Sequence, residues 1–277
     1  MLKRRCPNRV VFPMISSDLG WMRMRRQCAA SKKARELVPG CKCSAGGLRA
    51  SGRRVRHGIS QRMDIDDQPL WGFIGMKQKT ARRTNQTATA GDIWTWVAID
   101  PDTKLVPTFA IGDRTQYMAN CFIEDLAAHL SHRIQISSDA LKAYQGAIER
   151  AFGSEVDYGS LSKPLAIPSL RSNAGILPPE VVKVERAIVQ GTPDVDLIST
   201  SHVENQNHTL RMHCRRLSRL TNAFSKKLEN FKAAVALHYA YYNFVKTHQT
   251  IRCTPAMEAG VTDSAWTITD LVGMVEA

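Results

Sequence analysis

The order in which apolar patterns change along the chain constrains its fold most. Leu70-Trp71-Gly72-Phe73-Ile74-Gly75 is a short apolar run suited to a buried strand. Ile93-Trp94-Thr95-Trp96-Val97-Ala98-Ile99 is a second, rich in β-branched and aromatic residues. Asp100-Pro101-Asp102 turns the chain, and Leu105 to Ile111 supplies a third strand. Residues 77–91 are polar and basic, with Lys77, Lys79, Arg82 and Arg83, and read as a hairpin loop. Together these predict an antiparallel meander. Met118, Phe122, Leu126 and Leu130 then recur every fourth residue, which predicts a helix with one apolar stripe against a sheet. Ile134 to Ser138 is a strand that runs directly into Asp139, and Leu141 to Phe152 is helical. The order β-β-β-α-β-α calls for an α/β domain with a mixed sheet and flanking helices.

Residues 153–200 hold Pro164, Pro168, Pro178, Pro179 and Pro193 and read as loop. Long helices are expected over about 202–222 and 225–247, the second because Leu228, Phe231, Val235, Tyr239 and Tyr242 keep a helical period. A last short helix is expected near 255–260, after the Thr254-Pro255 pair.

Charge divides the chain sharply. Residues 1–62 carry 16 Lys and Arg against Asp18 and Glu36, a balance of +14 in a protein whose formal net charge is +13. Everything after Arg62 therefore nets to about −1. The first segment shows neither helical period nor strand alternation, so it reads as a basic, poorly structured arm, and residues 63–277 as the folded domain. Such an arm suits DNA phosphates, although a segment that merely packs poorly fits as well. No apolar run reaches bilayer length, which points to a cytoplasmic protein with no membrane partner. The seven cysteines are odd in number and irregularly spaced, as reduced thiols would be.

Phosphodiester cleavage by two divalent metals needs hard oxygen ligands, so carboxylates from different elements must converge at one sheet edge. The sequence offers Asp64, Asp66 and Asp67 before the first apolar run, Asp139 after a strand, and Glu204 on a later helix. Asp139 could equally cap the helix that follows it. Glu204, Asn207 and Arg211 share one helical face, which would set a carboxylate and a guanidinium beside one another.

Several blocks, in order, resemble bacterial insertion-sequence transposases of the Asp-Asp-Glu class. They are Phe73-Ile74-Gly75-Met76-Lys77-Gln78-Lys79, Trp94 to Asp100, Ser137-Ser138-Asp139-Ala140-Leu141-Lys142-Ala143-Tyr144 and His202-Val203-Glu204-Asn205-Gln206-Asn207. Arg211-Met212-His213, Arg215 to Phe224, Tyr242-Asn243-Phe244, His248 and Thr254 to Gly260 complete the pattern over about 70–272. The resemblance implies a ribonuclease-H-like catalytic core that cuts and joins DNA with Mg²⁺ or Mn²⁺. It implies double-stranded DNA, both element ends and target, as partner, and a homo-oligomer assembled on DNA in the bacterial nucleoid. Asp139 matches the second catalytic aspartate and Glu204 the catalytic glutamate, both as metal ligands. Arg211, Arg215 and Arg219 would contact the DNA backbone.

The family places its first catalytic aspartate three residues before the tryptophan of the opening strand. Here that position, counted from Trp71, is Gln68, followed by Pro69. Asp67 is the first ligand if a bulge at Pro69 turns it inward, since one residue back in a regular strand faces the other side. Asp66 keeps the right parity but stands two residues too far away. If neither serves, the chain is a catalytically inactive transposase remnant that only binds DNA.

Overall fold

A computed structural model describes residues 61–66, 69–87, 90–130, 132–139, 141–163, 165–166, 180–181, 183–218 and 221–273. Residues 1–60 of the basic arm expected over 1–62 lie outside the described residues, as do Asp67, Gln68 and Arg219; Arg62, at the end of that arm, opens the first strand.

The domain is α/β, built on a seven-stranded mixed sheet. Its strands are β1 (Arg62–Ile65), β2 (Leu70–Ile74), β3 (Gly91–Ile99), β4 (Thr108–Gly112), β5 (Ile134–Asp139), β6 (Val156–Ser162) and β9 (Glu185–Gln190). A separate two-stranded ribbon pairs β7 (Leu165–Ala166) with β8 (Glu180–Val181). The main order is β2-β3-β1-β5-β6-β9, with β4 on β3. β2, β3 and β4 form the expected antiparallel meander. β1 and β5 run parallel, as do β5 and β6.

One face of the sheet is covered by α2 (Gln116–Ala128) and α3 (Lys142–Phe152). Thr115 caps α2 by accepting from Met118 N at 3.3 Å, and the helix buries Met118, Phe122, Ile123 and Leu126. These pack on Met63, Ile65, Trp96, Ala98, Ile134 and Ile136. Trp96 is fully buried and meets Tyr144 edge-on at 5.8 Å and Phe122 at 6.2 Å.

The other face receives the C-terminal helices α4 (Ser201–His213) and α5 (Leu228–Ala240), the latter running into a π-helical turn at Tyr241–Val245. Phe109 of β4 meets Tyr239 at 4.9 Å, and Asn243 clamps the Val106 backbone with two bonds of 3.1 and 2.9 Å. Gly72 leaves room for Leu217 and Phe231, and Gly159 for Ile198, whose Cδ1 would lie 2.4 Å from an added Cβ.

Several expectations are corrected. The stretch read as a hairpin loop contains a helix, α1 (Gln78–Arg83), held because Gln78 and Asp92 exchange bonds of 3.0 and 3.1 Å. The stretch read as loop, 153–200, contains β6 and β9. The helix expected to 222 ends at His213, where Cys214 turns to extended backbone before a 3-10 turn at Arg215–Leu217. The last expected helix is α6 (Pro255–Glu258), capped by Thr254, and α7 (Ile268–Gly273) follows it. No helix among the described residues is long and apolar enough to cross a membrane.

Candidate metal centre

β1 is the strand on which the site turns, and the sequence spells it in strict alternation. Met63 and Ile65 enter the core under α2 and α3, so Arg62 and Asp64 face the opposite side, and Asp66 continues their parity. On β5 the same logic puts Ile134 and Ile136 in that core and Gln135, Ser137 and Asp139 on the other face. The parallel register pairs Asp64 with Ser137 and Ile65 with Ser138. Asp66 and Asp139 each follow that last pair, at the carboxyl ends of adjacent parallel strands and with the same parity.

The register of β3 explains the spacing that the sequence left open. Asp66 N bonds Val97 O at 3.4 Å, while Leu70 lies opposite Thr95. On β3 one residue, Trp96, separates these partners; on the other side three residues separate Asp66 from Leu70. The chain thus carries two extra residues there. An even insertion preserves the facing of the strand. Discounting those two, Asp66 stands three before Trp71.

Asp66 is 5% exposed. Its Oδ2 accepts from the Asn207 amide, and its backbone carbonyl from the Tyr144 hydroxyl. Asn207 lies on α4, so this contact brings the helix face bearing Glu204, three residues earlier, over the strand ends. Asp139 does not cap α3. The cap position is Leu141, with no side-chain bond, and Asp139 Oδ1 is a buried acceptor with no hydrogen-bond partner among the described residues. Asn207 Oδ1 is in the same condition. Such orphaned oxygens are costly unless a cation or donor meets them, and their hardness suits Mg²⁺ or Mn²⁺.

Glu204 is the most open member, its side chain 48% exposed. Its Oε1 accepts from Thr200 Oγ1 at 2.8 Å and is paired with the Lys163 ammonium, which also reaches Thr200 at 3.3 Å. No three His, Cys, Asp or Glu among the described residues stand close enough to share one ion.

Asp64 was grouped with the acids before the first run, and its partner was not anticipated. It is 2% exposed, and His202 Nδ1 lies 3.0 Å from its Oδ2. Burial raises its pKa, against the opposing pull of His202, Arg62 and Lys104. Lys163 was also missed, because the stretch holding it read as loop. Asp100 serves the turn, accepting from the amides of Asp102 and Thr103 at 2.9 and 3.3 Å. Arg211 is half-buried on α4 and Arg215 is exposed beyond it.

Compared with known proteins, the chain matches no protein-family model and no curated relative.

Proposed function

We propose that this protein is a transposase that cleaves and joins DNA strands, with Asp66, Asp139 and Glu204 as its metal-binding carboxylates. The observation that carries this reading is that Asp66 and Asp139 each follow the last register pair of two parallel strands, Ile65 opposite Ser138, with the buried Asp139 Oδ1 left unsatisfied. The mixed sheet, its central parallel pair and the later helix bearing Glu204 support a ribonuclease-H-like assignment. The same order of elements hosts other chemistries, so the function rests on the site and on the resemblance of its motifs.

The bound divalent ions would lower the pKa of the attacking water or 3′-hydroxyl and neutralise charge on the leaving oxygen. The chain's own groups do the rest. Asn207 holds the Asp66 carboxylate in one orientation through Oδ2. Tyr144 fixes the backbone of Asp66 from the opposite side of the sheet. Arg211, two turns beyond Glu204, and Arg215, exposed beyond α4, would add positive charge for the DNA backbone.

The test is Mn²⁺-dependent nicking of supercoiled plasmid, which needs no knowledge of the element's ends. Nicking by the wild type that disappears in Asp66→Asn, Asp139→Asn and Glu204→Gln is the expected result. Loss in Asp67→Asn with full activity in Asp66→Asn would move the first ligand to Asp67. A wild type that binds DNA but never nicks would leave an inactive remnant.

A further inference from the structure

We infer that the end of the sheet remote from Asp66 carries a second anion-binding surface, one that takes the phosphate backbone of duplex DNA beyond the reacting strand. Two segments far apart in sequence build it. Lys77, Lys79, Arg82 and Arg83 are exposed on and just before α1, and Arg215, Arg216, Lys226 and Lys227 are exposed between α4 and α5. The fold fastens the segments together. Gly75 N donates to Ser225 O at 2.8 Å, the Phe73 and Phe224 rings meet at 4.8 Å, and Arg216 bonds the Ser225 hydroxyl at 3.1 Å.

No acidic residue occurs in 75–86 or 215–227. None of the eight cations is in an ion pair among the described residues. The nearby Asp92 spends its Oδ1 on the Gln78 amide. An ordinary solvated face intersperses both signs, because like charges held together repel. Here residues 63–277 net to −1, yet these two segments hold nine Lys and Arg, so the remainder nets to −10. The segregation needs a polyanion to balance it.

An acidic protein would satisfy the charge, but protein interfaces centre on exposed apolar side chains. Among the described residues the large exposed hydrophobics, such as Met212, Leu237 and Ile188, all lie outside the two segments. Phosphates ask for cations alone. Reach fits as well. From Val97, beside Asp66, to Gly91, opposite Ile74, is six residues of β3, or about 20 Å at ~3.3 Å per residue. That spans about six phosphates of one strand. The placement of this surface beyond the reacting strand rests on the proposed cleavage site; the binding itself does not.

The experiment is anisotropy of a labelled duplex of about thirty base pairs with the full-length chain in EDTA, over a series of NaCl concentrations. The variant Lys77→Ala/Arg82→Ala/Lys226→Ala/Lys227→Ala is compared with Lys142→Ala/Arg150→Ala/Lys183→Ala/Arg252→Ala, which removes the same charge elsewhere. Melting temperatures confirm that both fold. The first variant should flatten the slope of log K against log salt by up to about 3.6, near 0.9 for each of the four lost phosphate contacts, and the second by less than about one. Equal slopes in the two variants would overturn the inference. So would a first variant that loses more affinity for polyglutamate than for duplex, which would assign the surface to an acidic protein. Because EDTA prevents cleavage, a chain that binds this way yet never nicks sinks only the enzymatic reading.

Discussion

His202 Nδ1 lies 3.0 Å from Oδ2 of Asp64, a carboxylate that is almost wholly buried. This contact joins the first turn of α4 to the central strand, two residues before Glu204 on one side and two before Asp66 on the other. It is the brace that sets the helix over the strand ends. Removing His202 leaves a buried acceptor unsatisfied, which costs about 1–3 kcal/mol. His202→Ala and Asp64→Ala should therefore each destabilise the protein, and their effects should not add. Urea unfolding of both singles and the double checks this, with a coupling of about 1 kcal/mol or more expected. Strict additivity would mean that the two groups do not support one another.

The two extra residues between β1 and β2 make a second prediction. If they only lengthen the excursion, deleting Gln68 and Pro69 should leave the registers of both strands on β3 intact. It should also bring Asp66 to three residues before Trp71 in the chain itself. The shortened protein should fold, and its Mn²⁺-dependent nicking should equal or exceed that of the full chain. Gln68→Asp, by contrast, should change nothing. Activity gained through Gln68→Asp while the deletion is silent would place the first ligand at position 68.

Much of this architecture is legible in the residues. The meander, the amphipathic helix with Met118, Phe122 and Leu126, and the strand running into Asp139 follow from apolar periods alone. β1 was harder to see. Arg62-Met63-Asp64-Ile65-Asp66 alternates as a half-buried strand should, but its outward positions are charged, and acids before an apolar run read as a loop. Their charge makes sense only because that face meets His202 and Asn207, about 140 residues away in the chain. β6 and β9 were hidden by the prolines between them. The sequence left Asp66 and Asp67 both open, because the two extra residues between β1 and β2 are visible only in the partner strand's register.

Lys163 raises a third expectation. Its ammonium is paired with Oε1 of Glu204, and under the proposed reading that pair competes with a metal ion for the carboxylate. A partly exposed ion pair of this kind is worth up to ~1 kcal/mol, or about fivefold in an equilibrium. Lys163→Met should therefore lower the Mn²⁺ concentration for half-maximal nicking by up to that factor. A variant needing more metal would show that Lys163 helps rather than hinders the site, for instance by meeting the phosphate. Thr200→Val should shift the metal requirement in the same direction as Lys163→Met, more weakly, since Thr200 bonds the same Oε1 at 2.8 Å.

The cluster around His238 on α5 makes stability depend on pH. His238 stacks on Tyr242 and lies 5.7 Å from the His213 ring, and its Nε2 is buried without a hydrogen-bond partner among the described residues. Burial first, then His213 and Lys246, lower its pKa from 6.5 to about 4. The folded protein thus resists a proton that the unfolded chain accepts. Its contribution is intact above pH 6.5 and is lost as the pH falls from there toward about 4. His238→Phe keeps a ring against Tyr242 and removes the titration. Between pH 7 and pH 5 the melting temperature of the wild type should fall more than that of His238→Phe. Parallel curves for the two proteins would show that His238 is hydrated enough to take up its proton in the folded state.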